Sequence, residues 1–299
     1  LFRSDKKMNE FQKSLDALAK KGRLRTKRFL PKNGVDFASN DYLGFKKDQK
    51  TFDKAVKNLT KTGLFAPSAS QLVYGYQDSH KKLENTLKKL YGFEDALIVG
   101  SGFLANTALV STLAGHNDLI LMDEEYHASG ISALSLSKAK YGLFAHSDAN
   151  DLEQRLKNAK AGRVFVFVES VYSMIGDILP LEIIEVADRY GAYLVIDEAH
   201  GHGTIGKSLG GIYDYYDILP SKKHIKMGTL SKAVGSYGAY ILGAKEIIDF
   251  LVNRAKPIIY STALSTIDAE IARVRITKIS KKSDSFRKKI DKRLTVAEK

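Results

Sequence analysis

GAYLVIDEAHGHGTIGKS, residues Gly191 to Ser208, decides how the rest of the chain is read. It opens as a short apolar run that ends on an acid, Asp197, and then turns through histidine and glycine. Its last eight residues, GHGTIGKS, match two phosphate-binding patterns at once, GxxxxGK[ST] and GxGxxG. A P-loop joins its own strand to a helix whose N-terminus holds phosphate, and its acidic magnesium partner comes from a separate strand. Here both would hang from the single strand ending at Asp197, and two glycines stand in LGGIYDYYD where the helix should begin. The nucleoside triphosphatase reading, with the helicase that DEAH suggests, therefore fails, and the stretch is a buried strand followed by an irregular loop.

Other short apolar runs repeat the pattern: DALIVG (95–100), DLILMD (118–123), RVFVFVES (163–170) and GAYILG (238–243). Helical patterns lie at about 103–114, 149–158 and 181–190. Alternation of this kind predicts an α/β fold with a largely parallel central sheet and flanking helices. In such sheets ligands gather at the carboxyl ends of the strands. Met8, Phe11, Leu15, Leu18 and Ala19 predict an amphipathic helix over 5–22, ended by Gly22. A further helix is expected over 78–91, opened by Asp78 or Ser79, and the chain from about 266 is helical and basic.

The composition, 44% hydrophobic and 27% charged, is that of a soluble globular protein. No apolar run is long enough for a membrane span, and the opening LFRSDKKMNEFQK lacks the apolar core of a signal peptide. The absence of cysteine removes disulfides, thiolate zinc sites and cysteine nucleophiles, and fits a cytoplasmic setting. The net charge of +13 raises the question of nucleic acid. Residues 1–32 and 271–299 each hold 11 basic and 3 acidic side chains, which leaves the middle of the chain at −3. The excess is therefore confined to helical ends, as solvated faces or as a rim for an anionic partner such as coenzyme A or an acidic carrier protein. No nucleic-acid or membrane partner is expected.

GTLSKAVGSYG (228–238) sets one lysine, Lys232, between small hydroxylated residues and a glycine turn. A lysine that forms a covalent bond must lose its proton, and a sheltered setting favours that loss. Pyridoxal phosphate (PLP) asks for such an amine, an anion at its ring nitrogen, a phosphate cradle and a group against its ring. Asp197, ending its strand, is the candidate for the ring nitrogen. His200 and Ser173 are candidates for the phenolic oxygen, and His127, after the strand LILMD, for stacking on the ring. The backbone N–H groups of Gly102 and Phe103, at the start of a helix, and the Thr229 hydroxyl are candidates for the phosphate.

Seven segments carry these residues in one order: SNDYLG (39–44), SGFLAN (101–106), YHAS (126–129), ESVYSMIGD (169–177), DEAHGHGTIG (197–206), TLSKAVGSYG (229–238) and IYSTALS (259–265). That order resembles the α-oxoamine synthases, PLP enzymes of the aspartate-aminotransferase fold, fold type I, from about residue 9 to the end. The resemblance implies that Lys232 anchors the cofactor and later carries the substrate's α-proton. It implies that Asp197, His127, His200, Ser173, Thr229, Gly102 and Phe103 hold PLP as above. It further implies a homodimer in which Ser261 or Thr262 reaches the neighbouring subunit's phosphate, with Asn40 and Arg25 near the substrate.

Within the family the resemblance points to the branch that joins L-alanine to a pimeloyl thioester with loss of carbon dioxide. QDSHKKLE (77–84) also looks like the branch that joins glycine to acetyl-CoA, and a catalytically silent partner subunit is the reading from another class. The chain departs from many relatives in Gln71, where they have arginine, and in Ala233 and Val234, where they have a glycine-bearing loop. The resemblance implies an N-terminal helix and basic connector over 1–33, a large cofactor domain over 34–265, and the start of a small C-terminal domain over 266–299. Most of that small domain, with its carboxylate-binding arginine, is expected to be absent.

Overall fold

The computed structural model describes residues 5–29 and 33–297. They fall into two compact units, 1–39 and 40–299. In the first unit, α1 spans Asp5–Lys20 and ends two residues before Gly22. Its apolar face finds no core there: Phe11 is 74% exposed, and Leu15 and Leu18 are also exposed. The side chain of Met8 lies outside the described residues.

The second unit is built on a seven-stranded sheet. Its strands are β1 (Asp95–Val99), β2 (Leu119–Asp123), β3 (Lys140–Phe144), β4 (Val164–Glu169), β5 (Tyr193–Asp197), β6 (His224–Thr229) and β7 (Ala239–Gly243). They run in the order β1-β7-β6-β5-β4-β2-β3. Only β7 opposes its neighbours; all other pairings are parallel. The helices are α2 (Gln49–Thr60), α3 (Asp78–Tyr91), α4 (Gly102–Thr112), α5 (Ala128–Ala133), α6 (Ala149–Lys157) and α7 (Leu181–Arg189). After them come α8 (Ile212–Tyr216), α9 (Lys245–Arg254), α10 (Lys256–Ile259), α11 (Thr266–Lys281) and α12 (Ser283–Ala297).

Successive side chains of a strand point to opposite faces, and both faces of this sheet are covered. Val166 and Val168 of β4 and Leu194 and Ile196 of β5 pack into one core. Phe165, Phe167 and Val195 pack into the other. This explains the unbroken apolar runs that stand out in the sequence.

Two strands escape the apolar pattern. In HIKMGT (224–229), every residue is buried, yet two of them are cationic or titratable. Lys226 Nζ is compensated by Glu198 at 3.3 Å, by the Gly210 carbonyl at 2.6 Å and by the face of the Tyr91 ring. His224 Nε2 meets Asp188 Oδ1 at 2.8 Å. The other, β3, is an edge strand that is mostly exposed. Helix α3 begins as expected, but its N-cap is Gln77, not Asp78 or Ser79. The imidazole of His80 takes the Gln77 N–H at 3.0 Å, so the cap is made from inside the helix.

Candidate active site

The carboxyl ends of β1, β2, β4, β5 and β6 release the segments that hold the candidate residues. At the centre, β4 and β5 end in register, with Glu169 beside Asp197. Asp197 is 4% exposed. Its Oδ1 accepts the Ala199 N–H at 2.8 Å, and its Oδ2 accepts from Asn106 Nδ2 at 2.9 Å. Burial raises its pKa and these hydrogen bonds oppose the rise. Among the described residues no cation forms a salt bridge with it.

The loop after Asp197 is the one that mimics a phosphate-binding motif, and the structure gives its glycines another purpose. A Cβ on Gly201 would run into Ser170 Oγ and the Glu198 carboxylate. Gly203 sits at φ +84°, and a Cβ there would collide with Ala233 just after the lysine. Glu198 ties the loop down through the Ile212 N–H at 2.8 Å and the ion pair to Lys226. The close packing brings His200 Nε2 to 2.6 Å from Lys232 Nζ.

Electrostatics follow from that contact. Burial lowers the Lys232 pKa, opposed by the charges of Asp197 and Glu169. Burial also lowers His200, to about 4, with the charges of Lys232 and His127 adding to the effect. The imidazole is therefore neutral at physiological pH. Glu169 is pushed up to about 8 by burial and by the neighbouring Asp197, opposed by the Ser173 and His127 backbone N–H groups, and among the described residues its buried Oε1 has no close hydrogen-bond partner.

His127 is drawn into the same network from the other side. Its Nδ1 lies 2.7 Å from Ser129 Oγ and accepts the Ser129 N–H at 3.2 Å. Ser129 Oγ accepts from Asn106 Nδ2 at 2.9 Å, so its own hydrogen goes to His127 Nδ1. The His127 proton consequently sits on Nε2. Tyr126 OH completes the set by donating to Asn106 Oδ1 at 2.8 Å. Asn106 is thus the link between Asp197 and His127. Asn106, Ser129, Tyr126 and Glu169 all lie inside the quoted motifs, but no spacing rule marks them, because their roles arise from three segments meeting.

The start of α4 lies close to Thr229. Ser101 caps the helix by accepting the Leu104 N–H at 3.2 Å, and Gly102 and Phe103 follow as its first turn, whose N–H groups have no acceptor within the helix. A Cβ added at Gly102 would lie 3.9 Å from Thr229 Cβ. The Thr229 hydroxyl contacts Ser231 Oγ at 2.8 Å. Ser173 is held by its N–H donating to Glu169 Oε2 at 3.2 Å. Thr262 is exposed and pairs through its backbone with Ser70. Asn40 Oδ1 lies 3.2 Å from Tyr42 OH, which also lies 2.7 Å from His200 Nδ1. Arg25 belongs to the first unit, where it is exposed. Gln71 donates to the Ile98 carbonyl of β1 at 3.2 Å.

A histidine between two acids staples the segments beneath the site. His146 Nδ1 meets Asp123 Oδ1 at 2.9 Å and its Nε2 meets Asp177 Oδ2 at 2.8 Å. It thereby joins the chain after β3 to the end of β2 and to the hairpin that carries Ser173. Its pKa is raised by both carboxylates against the opposing effect of burial. A raised folded pKa contributes stability that is complete below the unfolded value and is lost as pH rises through the folded one. His146→Asn should therefore cost about 1.5–3 kcal/mol at mildly acidic pH and progressively less at alkaline pH. Urea unfolding of both proteins across that range checks this; a pH-independent difference would mean the histidine is neutral in its staple.

The model for "Aminotransferase class I and II" matches residues 32–297. The 8-amino-7-oxononanoate synthase of Helicobacter pylori strain 26695 is 43% identical over 263 residues, 87% of this chain and 70% of its own length. A serine palmitoyltransferase from S. paucimobilis, solved with a PLP–myriocin aldimine, superposes with a TM-score of 0.80 at 26% identity over 92% of this chain and 75% of its own. An 8-amino-7-oxononanoate synthase structure from Francisella tularensis gives 0.70 at 28%, over 84% and 70%.

PLP, which the serine palmitoyltransferase structure holds, suits the residues present. Among the described residues the buried carboxylate of Asp197 has no salt bridge and Glu169 Oε1 has no hydrogen-bond partner, and the Lys232 amine is sheltered beside the His200 imidazole. By its fold, its matched family model and these relatives, the chain belongs to the class I and II aminotransferases and, among them, to the 8-amino-7-oxononanoate synthase family.

Proposed function

We propose that the protein condenses L-alanine with a pimeloyl thioester, delivered by coenzyme A or an acyl carrier protein, and releases carbon dioxide to give 8-amino-7-oxononanoate. We place this reaction in the cytoplasm, in a homodimer. The observation that carries the reading is Lys232 Nζ held 2.6 Å from His200 Nε2, close to the buried carboxylate of Asp197.

Bound PLP supplies an aldehyde for the lysine and a protonated ring that stores the electrons left when a carbon–hydrogen bond breaks. Lys232 anchors that group, and its amine, once free, takes the α-proton of alanine and later returns one to the product. A lysine at its ordinary pKa would be a poor base at neutral pH, and burial favours its uncharged form. Asp197 keeps the ring nitrogen protonated, while Asn106 fixes the direction of its carboxylate. His127, oriented through Ser129, would stack on the ring. His200 and Ser173 attend the phenolic oxygen. Gly102, Phe103 and Thr229 hold the phosphate, with Thr262 contributed by the second copy. Asn40 and Arg25 serve the substrate.

The test offers the PLP-loaded protein alanine, glycine and serine with pimeloyl-, acetyl- and palmitoyl-CoA, and identifies products by mass. The alanine–pimeloyl ketone is expected. A glycine–acetyl product would move the protein to the other branch, and no product from any pair despite bound cofactor would overturn acyl transfer.

A further inference from the structure

Tyr42 touches the catalytic lysine's partner and has no part in the reading above. Its hydroxyl lies 2.7 Å from His200 Nδ1, while the other nitrogen of that ring lies 2.6 Å from Lys232 Nζ. The turn that presents Tyr42 is tightly built. Asp41 accepts the Phe45 and Lys46 N–H groups at 2.7 and 2.9 Å, and Gly44 takes φ 77°. Arg293 Nη1 grips the Tyr42 carbonyl at 2.8 Å.

A neutral imidazole has one hydrogen for two nitrogens, so its two contacts are not independent. The Tyr42 hydroxyl also has one hydrogen, with two acceptors in reach: His200 Nδ1 at 2.7 Å and Asn40 Oδ1 at 3.2 Å. Given to Asn40, it would leave His200 Nδ1–H to donate to the Tyr42 oxygen; the Asn40 contact is the longer and weaker of the two, and the hydrogen is assigned to His200 on that ground. Nδ1 is then an acceptor and Nε2 carries the ring hydrogen. A hydrogen bond from Nε2–H to Nζ needs a lone pair on the lysine, which only the uncharged amine has. We propose that Tyr42 is a positioning residue that fixes His200 as the Nε2–H tautomer and thereby holds Lys232 as a free amine, ready for an aldehyde.

The groups that face this pair from neighbouring elements are Asp197 at the end of β5, Glu169 at the end of β4 and His127 after β2. The carboxylates favour the ammonium form, so the Nε2–H donor and burial have to outweigh them. The lowered Lys232 pKa agrees with that balance. The importance of a free amine rests on Lys232 being the cofactor anchor, but the tautomer and the lysine's protonation are measurable without cofactor.

The experiment uses the full chain free of PLP, wild type and Tyr42→Phe. Competitive labelling with acetic anhydride, read on the Lys232 peptide by mass spectrometry, gives the pH midpoint of that amine. The substitution should raise the midpoint by about one unit, tenfold less free amine near neutrality. Nitrogen-15 NMR of the histidine rings should find His200 protonated on Nε2 in the wild type, and shifted toward Nδ1 in the variant. An unchanged midpoint overturns the proposal, and so does a wild-type ring protonated on Nδ1, a result that does not depend on the variant folding. Failure of PLP to attach to Lys232 would sink the functional reading instead, and would leave these titrations to judge Tyr42 alone.

Discussion

Replacing Lys232 with alanine should abolish turnover, with a loss of about 10³-fold or more, because one side chain is asked both to anchor the cofactor and to move the proton. The more telling variant is Lys232→Arg. Arginine keeps a cation at the same place but has no lone pair at any accessible pH. If Lys232 acted only through its charge, beside Asp197 and Glu169, arginine would restore much of the activity. If it acts as an amine, arginine should be as inactive as alanine. Borohydride treatment of the PLP-loaded protein, followed by mass analysis, should place a cofactor adduct on Lys232 in the wild type and none at position 232 in either variant. Turnover of Lys232→Arg within tenfold of wild type would refute the assignment. Lys232→Ala should not threaten the fold, since the charged form of Lys232 is already disfavoured by burial; Lys232→Arg puts a permanent cation in the same site, so its unfolding is measured beside its turnover.

The sequence makes the scaffold of this site legible and hides the links between its parts. The apolar runs 95–100, 118–123, 163–170 and 191–199 mark strands because their two faces enter two separate cores. His224 and Lys226 conceal β6, since a buried lysine is tolerated only through Glu198, the Gly210 carbonyl and the Tyr91 ring, contacts that come from distant segments. The same holds in the site. Lys232, Asp197, His127 and His200 announce themselves by following strands within glycine-rich turns. Asn106 has no such signal, although it joins Asp197 to Ser129 and so to His127. Tyr42 and His200 are separated by 158 residues, so their contact is invisible to any local pattern. The phosphate-binding mimicry of GHGTIGKS shows the converse case: the glycines are needed, but for packing against Ser170, Glu198 and Ala233.

Asp197→Asn should separate the acid's chemical role from its structural one. Turnover should fall by about 10²–10³, the scale for losing one preorganised electrostatic partner in a buried site. Stability of the cofactor-free chain should move far less. Burial is the largest influence on the carboxylate and outweighs its hydrogen bonds and the charges of Lys232 and His127, so removing its charge is itself favourable. Against this, asparagine has one acceptor oxygen for two donors, Asn106 Nδ2 and the Ala199 N–H. One donor is left facing an NH₂ group, at a cost of about 1–3 kcal/mol. The raised folded pKa fixes the sign of the pH dependence. The charge penalty is absent in strong acid, grows as pH rises above the ordinary carboxylate range, and is complete above the folded value. The variant should therefore compare worst with wild type in acid and gain on it steadily as pH rises. If Asp197 faces the ring nitrogen of PLP, as proposed, that nitrogen would give the acid a partner, and cofactor should raise the wild-type melting temperature by more than that of the variant. Equal stabilisation of both proteins by PLP would mean that Asp197 does not face the ring nitrogen, whatever happened to turnover.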